Sequence, residues 1–467
     1  MILPESQRQK DEFEKRRREL LDECKLAPEV FDNVMPRLER FMVPFVECFV
    51  RSEQVAHAQT FVQGLLSDLD NKNVESIAYR FGEERMPLQW FVGVSDWDHE
   101  PLRDELVQQV GQALGDDDGV LVFDPSGFPK SGRQSVGVAR QWCGRLGKVD
   151  NCQVAIYMGY VSRHEHTLVD TRLYLPKEWT TDKERRQKAG VPKGTRYRTR
   201  HQLCLEMLKA HGSVLPHSWI AGDDEMGRPY WFRRRLDRLH ERYLLAVPSN
   251  TLIRDLEADP PPYSGRGRYP KRPWTRVDEW RSAREQEEWT EIDVRDGAKG
   301  PLIVEILKRR VVARTDKRQE GHEEVLVIIR FRDRENAKVH QTDYYLSNAA
   351  SDTALAEFAR AAKAEHRIEE CIQRGKSEAG LADYEVRNWK GWHHHQILSL
   401  IATWFLVVEA RRGKKMDPGD YGSPSPRRHC VDPASRVQMR YQIPNRRRRR
   451  EASQAQRARG PLSLEAA

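Results

Sequence analysis

The stretch "GVLVFDPSGFPKSG", residues 119–132, sets four apolar residues at 120–123 directly before Asp124, then places Gly127, Pro129 and Gly132 after it. A short apolar run bounded by turn formers reads as a buried strand. This one predicts a strand over 120–123 that stops at Asp124. A carboxylate closing a strand built for a dry interior is either a turn residue or a ligand position, and only matching carboxylates elsewhere can decide which.

The pattern downstream supplies a sheet for that strand. "CQVAIYMGYVS" (152–162) and "TLVDTRLYLP" (167–176) read as the next two strands, and "RHQLCLEMLKAHG" as a helix. "SWIAGDD" (218–224) is a fourth strand, "YWFRRRLDRLHE" a helix and "YLLAVPSN" (243–250) a fifth strand. Three strands followed by alternating helices and strands predict a mixed α/β layer in ribonuclease H-like order. In that order the first and fourth strands are neighbours. Asp223 closes the fourth strand as Asp124 closes the first, with Gly227 shortly after it. A third acid is expected from a helix packed across the sheet. "HRIEECIQRGK" offers Glu369 with Lys376 seven residues on, two helical turns away on the same face, while Ile368, Cys371 and Ile372 face the core. Asp224 and Glu370 adjoin these acids and remain alternatives to them.

Three convergent carboxylates suit hard divalent cations. Two Mg²⁺ ions, with Mn²⁺ as a substitute, can activate a water or 3′-hydroxyl and stabilise the leaving oxygen at phosphorus. Lys376 would stand near that phosphate as a point charge. A phosphatase of the haloacid-dehalogenase type also begins with a strand and an Asp, but needs a second Asp two residues on, where this chain has Ser126. "HHH" at 393–395 does not make a metal site, because consecutive helical residues point about 100° apart. Contact with DNA backbone, or the start of a helix packed beside the site, are the readings kept for it.

Around this core the composition shifts. Residues 1–115 read as a helical amino-terminal domain and a candidate DNA reader, opening on a charged helix. Within it "EPLRDELVQQVGQAL" sets Leu102, Leu106, Val107, Val110 and Leu114 at helical spacing. Residues 116–258 form the first part of the catalytic core. A Pro-, Gly- and Arg-rich linker, "DPPPYSGRGRYPKRPW", then opens a β-rich insertion over 259–350, with strands expected at "PLIVEIL", "RVVAR", "EVLVIIRF" and "TDYYLS". Core helices resume over 351–412, the last of them over "HQILSLIATWFLVVEARR". Residues 413–467 read as a disordered basic tail ending past "RRRRR" at 446–450.

The net charge of +8 is mostly that tail's, since residues 411–467 hold fifteen Lys/Arg against five Asp/Glu and leave the rest near neutral. A second basic stretch, "DKERRQKAGVPKGTRYRTR" at 182–200, carries eight basic residues against two acids and is a candidate phosphate binder. No apolar run reaches the length of a membrane span, so no membrane partner is expected. Seven cysteines without a CxxC pair fit a reducing cytoplasm rather than a disulfide framework or zinc module.

Beyond these local readings, four long segments in order, "FVQGLLSDLDNKNVESIAYRFGE", "KSGRQSVGVARQWCGRLGKVDNCQVAIYMGYVS", "LYLPKEWTTDKERRQKAGVP" and "IEECIQRGKSEAGLADYEVRNWKGWHHH", resemble bacterial insertion-sequence transposases of the cut-and-paste DDE class. The similarity spans roughly 60–410. It implies a ribonuclease H-like core with a β-rich insertion between the second Asp and the Glu. It also implies Mg²⁺-dependent cleavage at terminal inverted repeats and joining to target DNA by a homodimer, in a bacterial cytoplasm at the nucleoid. By position the resemblance puts the catalytic and metal-binding acids at Asp124, Asp223 and Glu369 and the signature lysine at Lys376. Lys130, Arg196, Arg198 and Arg200 are the accompanying candidates for DNA phosphates. Pro125 stands where relatives usually carry Glu, and Glu365 and His366 where they often carry Arg and Trp. These departures define a second functional class, a co-opted DNA-binding protein without chemistry. A third is a ribonuclease H-like nuclease without strand transfer. Trp389 and Trp392 are read as packing residues that could alternatively stack on a displaced base.

Overall fold

The computed structural model describes residues 32–284, 288–293, 303–332 and 339–416. The charged opening residues and the basic tail beyond 416, both read from sequence above, lie outside the described residues.

Among the described residues five helices come first: α1 (Val34–Val46), α2 (Ser52–Leu65), α3 (Val74–Phe81), α4 (Arg85–Gly93) and α5 (Glu100–Leu114). Leu102, Leu106, Val107, Val110 and Leu114 on α5 are all buried, as their spacing required. Asn73 starts α3 by accepting the Ser76 N–H, and Gly82 ends it with φ at 64°, a conformation that favours glycine. These helices do not bury their apolar faces apart from the sheet. One continuous cluster of buried side chains runs from Leu38 through the strands to Val407.

The strands follow as β1 (Val120–Pro129), β2 (Ala139–Cys143), β3 (Lys148–Val161) and β4 (His166–Tyr174), then α6 (Arg200–His211), β5 (Trp219–Gly222), α7 (Tyr230–Arg238) and β6 (Tyr243–Ala246). β1 pairs antiparallel with β3 and parallel with β5, β4 pairs with β3, and β5 runs parallel to β6. The order β4-β3-β1-β5-β6 is the mixed layer expected of a ribonuclease H-like core. Val120, Leu121, Val122 and Phe123 are buried, as befits a central strand covered on both faces.

Two expectations need correction. β1 does not stop at Asp124; it continues to Pro129, paired with β3 as far as Cys152. What ends at that point is its other partner, because β5 pairs with β1 only up to Phe123↔Gly222. Asp124 is thus the first residue of β1 whose β5 side is open, and Pro125, which lacks an N–H, sits where one partner has left.

The insertion also differs in detail. "PLIVEIL" and "RVVAR" were expected as two strands, but Ile303–Arg314 is one, β10. The charged residues 308–310 do not break it, since β11 (Glu320–Arg332) pairs along one edge while β9 (Thr290–Asp293) and β7 (Leu252–Asp255) share the other. With β8 (Thr275–Arg276) and β12 (Val339–Ser347) these strands do not form a separate sheet. β12 pairs with β6, so the insertion extends the core sheet to twelve strands. The chain then crosses back over the core as α8 (Leu355–Glu378), which packs on β1, β3, β4 and β5, and closes with α9 (Trp389–Met416) against β4, α2 and α4. Among the described residues no helix is long and apolar enough to cross a membrane.

Candidate active site

Asp124 lies on β1 beside the end of β5, and Asp223 immediately follows β5, so the parallel pairing brings the two together. Asp223 caps the one-turn helix Asp224–Gly227, its Oδ1 accepting the Met226 N–H at 3.0 Å. Gly227 ends that turn against β6, where a Cβ would overlap the carbonyl oxygen of Ala246. The glycine after the second Asp is therefore a packing requirement. α8 completes the site from above the sheet. Ile368, Cys371 and Ile372 are buried beneath it, leaving Glu369 on an open face.

The electrostatics set these acids in different surroundings. Burial first, then the charges of Asp223 and Glu369, push Asp124 well above the usual carboxylate range, with Lys376 opposing. Asp223 is pushed up to about 7 by burial, with Glu225 and Asp224 adding to it and the Met226 N–H resisting. The two neighbouring acids are otherwise engaged. Asp224 is exposed and pairs with Arg228 at 2.9 Å. Glu370 binds His166 at 3.3 Å and Arg367 at 2.6 Å. Burial would raise Glu370, but His166 and Arg367 hold it down to about 2.

Lys376 donates to Ser126 Oγ at 2.8 Å and stands 5.0 Å from the Phe128 ring centroid. Burial lowers its pKa and the nearby Arg145 adds to this, while Asp124 pulls it back. Lys376 and Glu369, two turns apart on α8, both act on Asp124, in opposite directions.

The set fits a hard cation by its donor chemistry: oxygen ligands, like charges held close, and one lysine as partial compensation. It is not a closed cage, since among the described residues no group of three or more His, Cys, Asp or Glu is arranged to hold a metal ion as it stands. An open carboxylate set is what Mg²⁺ tolerates, because it takes one or two carboxylates and completes its shell with water and substrate phosphate.

The basic candidates divide by partner. Arg196 is exposed. Arg198 is paired with Glu206, and Arg200 donates through one guanidinium nitrogen to both Glu225 oxygens, at 2.6 and 2.7 Å. Lys130 is turned inward, 3.3 Å from the Tyr384 carbonyl oxygen and 3.6 Å from its ring centroid, and burial lowers it to about 8. His393, His394 and His395 are all buried. His394 sits between the carbonyl oxygens of Val92 and Trp97, at 3.0 and 2.8 Å, and stacks on the Trp97 ring. Contact with DNA backbone is therefore closed to the triplet, which ties α9 to the amino-terminal helices. Trp392 is buried as a packing residue and Trp389 is half-buried.

Two residues at this site were not read from the sequence in these roles. Glu225, two residues after Asp223, contributes to the field on both aspartates. Glu365, noted only as an acid in place of an Arg, lies one turn before Glu369 and accepts from the Tyr345 hydroxyl at 3.1 Å. Burial raises it well above the carboxylate range, the Tyr345 bond opposes, and Asp223, Asp343 and Glu369 add to the rise. Its four-residue offset from Glu369 was the available signal.

The described residues thus form a ribonuclease H-like sheet with acids on β1, just past β5 and on the crossing helix. Residues 44–301 match the family model for the DDE superfamily endonuclease, more than half of the chain, and the chain belongs to that family. The match includes Asp124 and Asp223; Glu369 and Lys376 lie beyond it. The chain is also 29% identical over 195 residues to a probable transposase for insertion sequence element IS701 from Microchaete diplosiphon, over 41% of this chain and 48% of that protein. The chain thus spans about half the length of the curated relative it matches.

Proposed function

We propose that the chain is a transposase that cleaves double-stranded DNA at the terminal inverted repeats of an insertion sequence and joins the freed ends to target DNA. The observation that carries this reading is the approach of Asp124, one residue past the last β1–β5 pair, and Asp223, one residue past the end of β5, with Glu369 on the helix that crosses them. Asp124, Asp223 and Glu369 would hold two Mg²⁺ ions, or Mn²⁺ in their place, and these would supply activation of a water or 3′-hydroxyl and stabilisation of the leaving oxygen.

The chain's own groups prepare that chemistry. Asp124 and Asp223 are kept partly desolvated and charge-frustrated, so a cation gains more there than at an exposed acid. Lys376, oriented by Ser126, holds a positive charge beside the place of the scissile phosphate. Arg196, with the exposed lysines of 182–200, tracks the DNA backbone, while the amino-terminal helices read the repeats. A homodimer bridges the two ends, in the bacterial cytoplasm at the nucleoid.

The test is incubation of the full chain and Mg²⁺ with a plasmid carrying the DNA that flanks its own gene, alongside a target plasmid. Cuts at the element ends with joined products support the reading. Cuts without end preference or joining assign a nuclease lacking strand transfer. Tight binding to the ends with no cutting by the wild type assigns a DNA-binding protein that has lost chemistry.

A further inference from the structure

A cavity of about 440 Å³ opens next to Glu225, with Arg140, Gln141, Tyr174, Lys177, Tyr197 and Arg200 among its lining residues. Three segments build it. β2 brings Arg140 and Gln141, the end of β4 and the chain after it bring Tyr174 and Lys177, and the approach to α6 brings Tyr197 and Arg200. The two phenol rings meet edge to face with centroids 6.5 Å apart. The Arg200 guanidinium lies 5.1 Å from the Tyr174 centroid and the Lys177 ammonium 5.8 Å from that of Tyr197. Arg140 and Lys177 are exposed at the rim. Arg200 also binds Glu225, whose charge reaches Asp124 and Asp223. Glu225 itself lines the cavity and follows Asp223 by two residues, so the cavity opens beside the turn that carries the second Asp.

We propose that this cavity is a nucleotide subsite that takes one unpaired base, with its phosphate, from the DNA strand next to the scissile bond. The proposal rests on the transposase reading. Aromatic rings beside a guanidinium plane offer stacking faces that accept any base, and rim cations suit the phosphate that follows. Gln141 adds an amide that can meet a base edge. The volume lies in the range of about 300–1,000 Å³ usual for small-ligand sites. A base within a duplex is covered on both faces by its neighbours, so only an unpaired or extruded base can present a face to these rings.

The test uses the full chain with a short single-stranded oligonucleotide containing 2-aminopurine, and with 2-aminopurine deoxynucleoside monophosphate as the free-nucleotide probe. Wild type, Tyr197→Ala and Tyr197→Phe are compared for fluorescence quenching and affinity, and DNA cleavage is measured on the same preparations. We expect wild type and Tyr197→Phe to quench the oligonucleotide. Tyr197→Ala should lose the quench and bind about tenfold more weakly, as loss of one stacking face requires. Equal quenching and affinity in wild type and Tyr197→Ala overturns the subsite, and does so without touching the transposase reading if the wild type still cuts its element ends. Tyr197-dependent quenching in a protein that neither binds nor cuts those ends keeps a nucleotide site but removes the transposase reading. Tighter binding of the monophosphate than of the oligonucleotide overturns the assignment to DNA and gives the cavity to a free nucleotide.

Discussion

Replacing Asp223 by Asn should make the metal-free protein more stable while abolishing its chemistry. The side chain has two roles that this substitution separates. As a helix cap it accepts the Met226 N–H, and Asn caps a helix about as well as Asp. As a charge it is held at about 7 by burial and by the acids beside it. A folded-state pKa above the unfolded value means the group favours the fold while protonated. That advantage disappears as pH rises from about 4 through 7. Lifting a carboxyl from 3.8 to about 7 corresponds to about 4 kcal/mol of lost stability at pH 8, and to about 2 kcal/mol once solvent screening on its open side is counted. Urea unfolding in EDTA at pH 5 and pH 8 reads the difference between Asp223→Asn and wild type. The variant should be more stable at pH 8 by about 2 kcal/mol, with a smaller gap at pH 5, and Mg²⁺ should narrow the gap by stabilising only the wild type. A variant less stable than wild type at pH 8 without metal, or a gap independent of pH, would refute the reasoning.

Further outcomes follow from other parts of the molecule. Lys376→Ala removes the charge oriented by Ser126 and should lower the cleavage rate about 100-fold, with partial recovery in Lys376→Arg, in a single-turnover assay on element-end DNA. Arg233→Met strands Glu324, whose Oε1 accepts from Arg233 at 2.7 Å in a buried pair between α7 and β11. It should cost about 3–5 kcal/mol in denaturant unfolding, and an unchanged midpoint would mean the pair is not formed. Burial lowers His395 to about 4, so its contribution to stability is complete above about pH 6.5 and lost as pH falls towards 4. His395→Gln should flatten the stability profile across that interval, and a profile parallel to wild type would count against the buried neutral ring.

The core order was legible because apolar runs and amphipathic helices carry it locally. Val120–Phe123 read as a covered strand from its apolar run and the turn formers after it, and its parallel partner followed from the alternation of helix and strand. The true extent of β1 was not legible, since it depends on where β5 stops and on pairing with β3, both tertiary facts. The merging of two expected strands into β10 has the same cause: residues 308–310 look like a break until partners on both edges are known. At the site, Asp223 against Asp224 and Glu369 against Glu370 could not be separated in sequence. What distinguishes their surroundings is Arg228 beside Asp224 and His166 and Arg367 beside Glu370, each brought up by the fold. The pairing of Arg200 with Glu225 was not legible for a similar reason, because that partner is twenty-five residues away and is brought to it by the β5 turn.

The most direct test compares strand cleavage of element-end DNA by wild type with Asp124→Asn, Asp223→Asn and Glu369→Gln, and with the adjacent controls Asp224→Asn and Glu370→Gln, in Mg²⁺ and in Mn²⁺. The account predicts that the first three lose cleavage by about 1,000-fold or more while still binding the DNA, and that both controls stay within about tenfold of wild type. Loss in a control with retention in its neighbour, or cleavage surviving in Asp124→Asn, would contradict it.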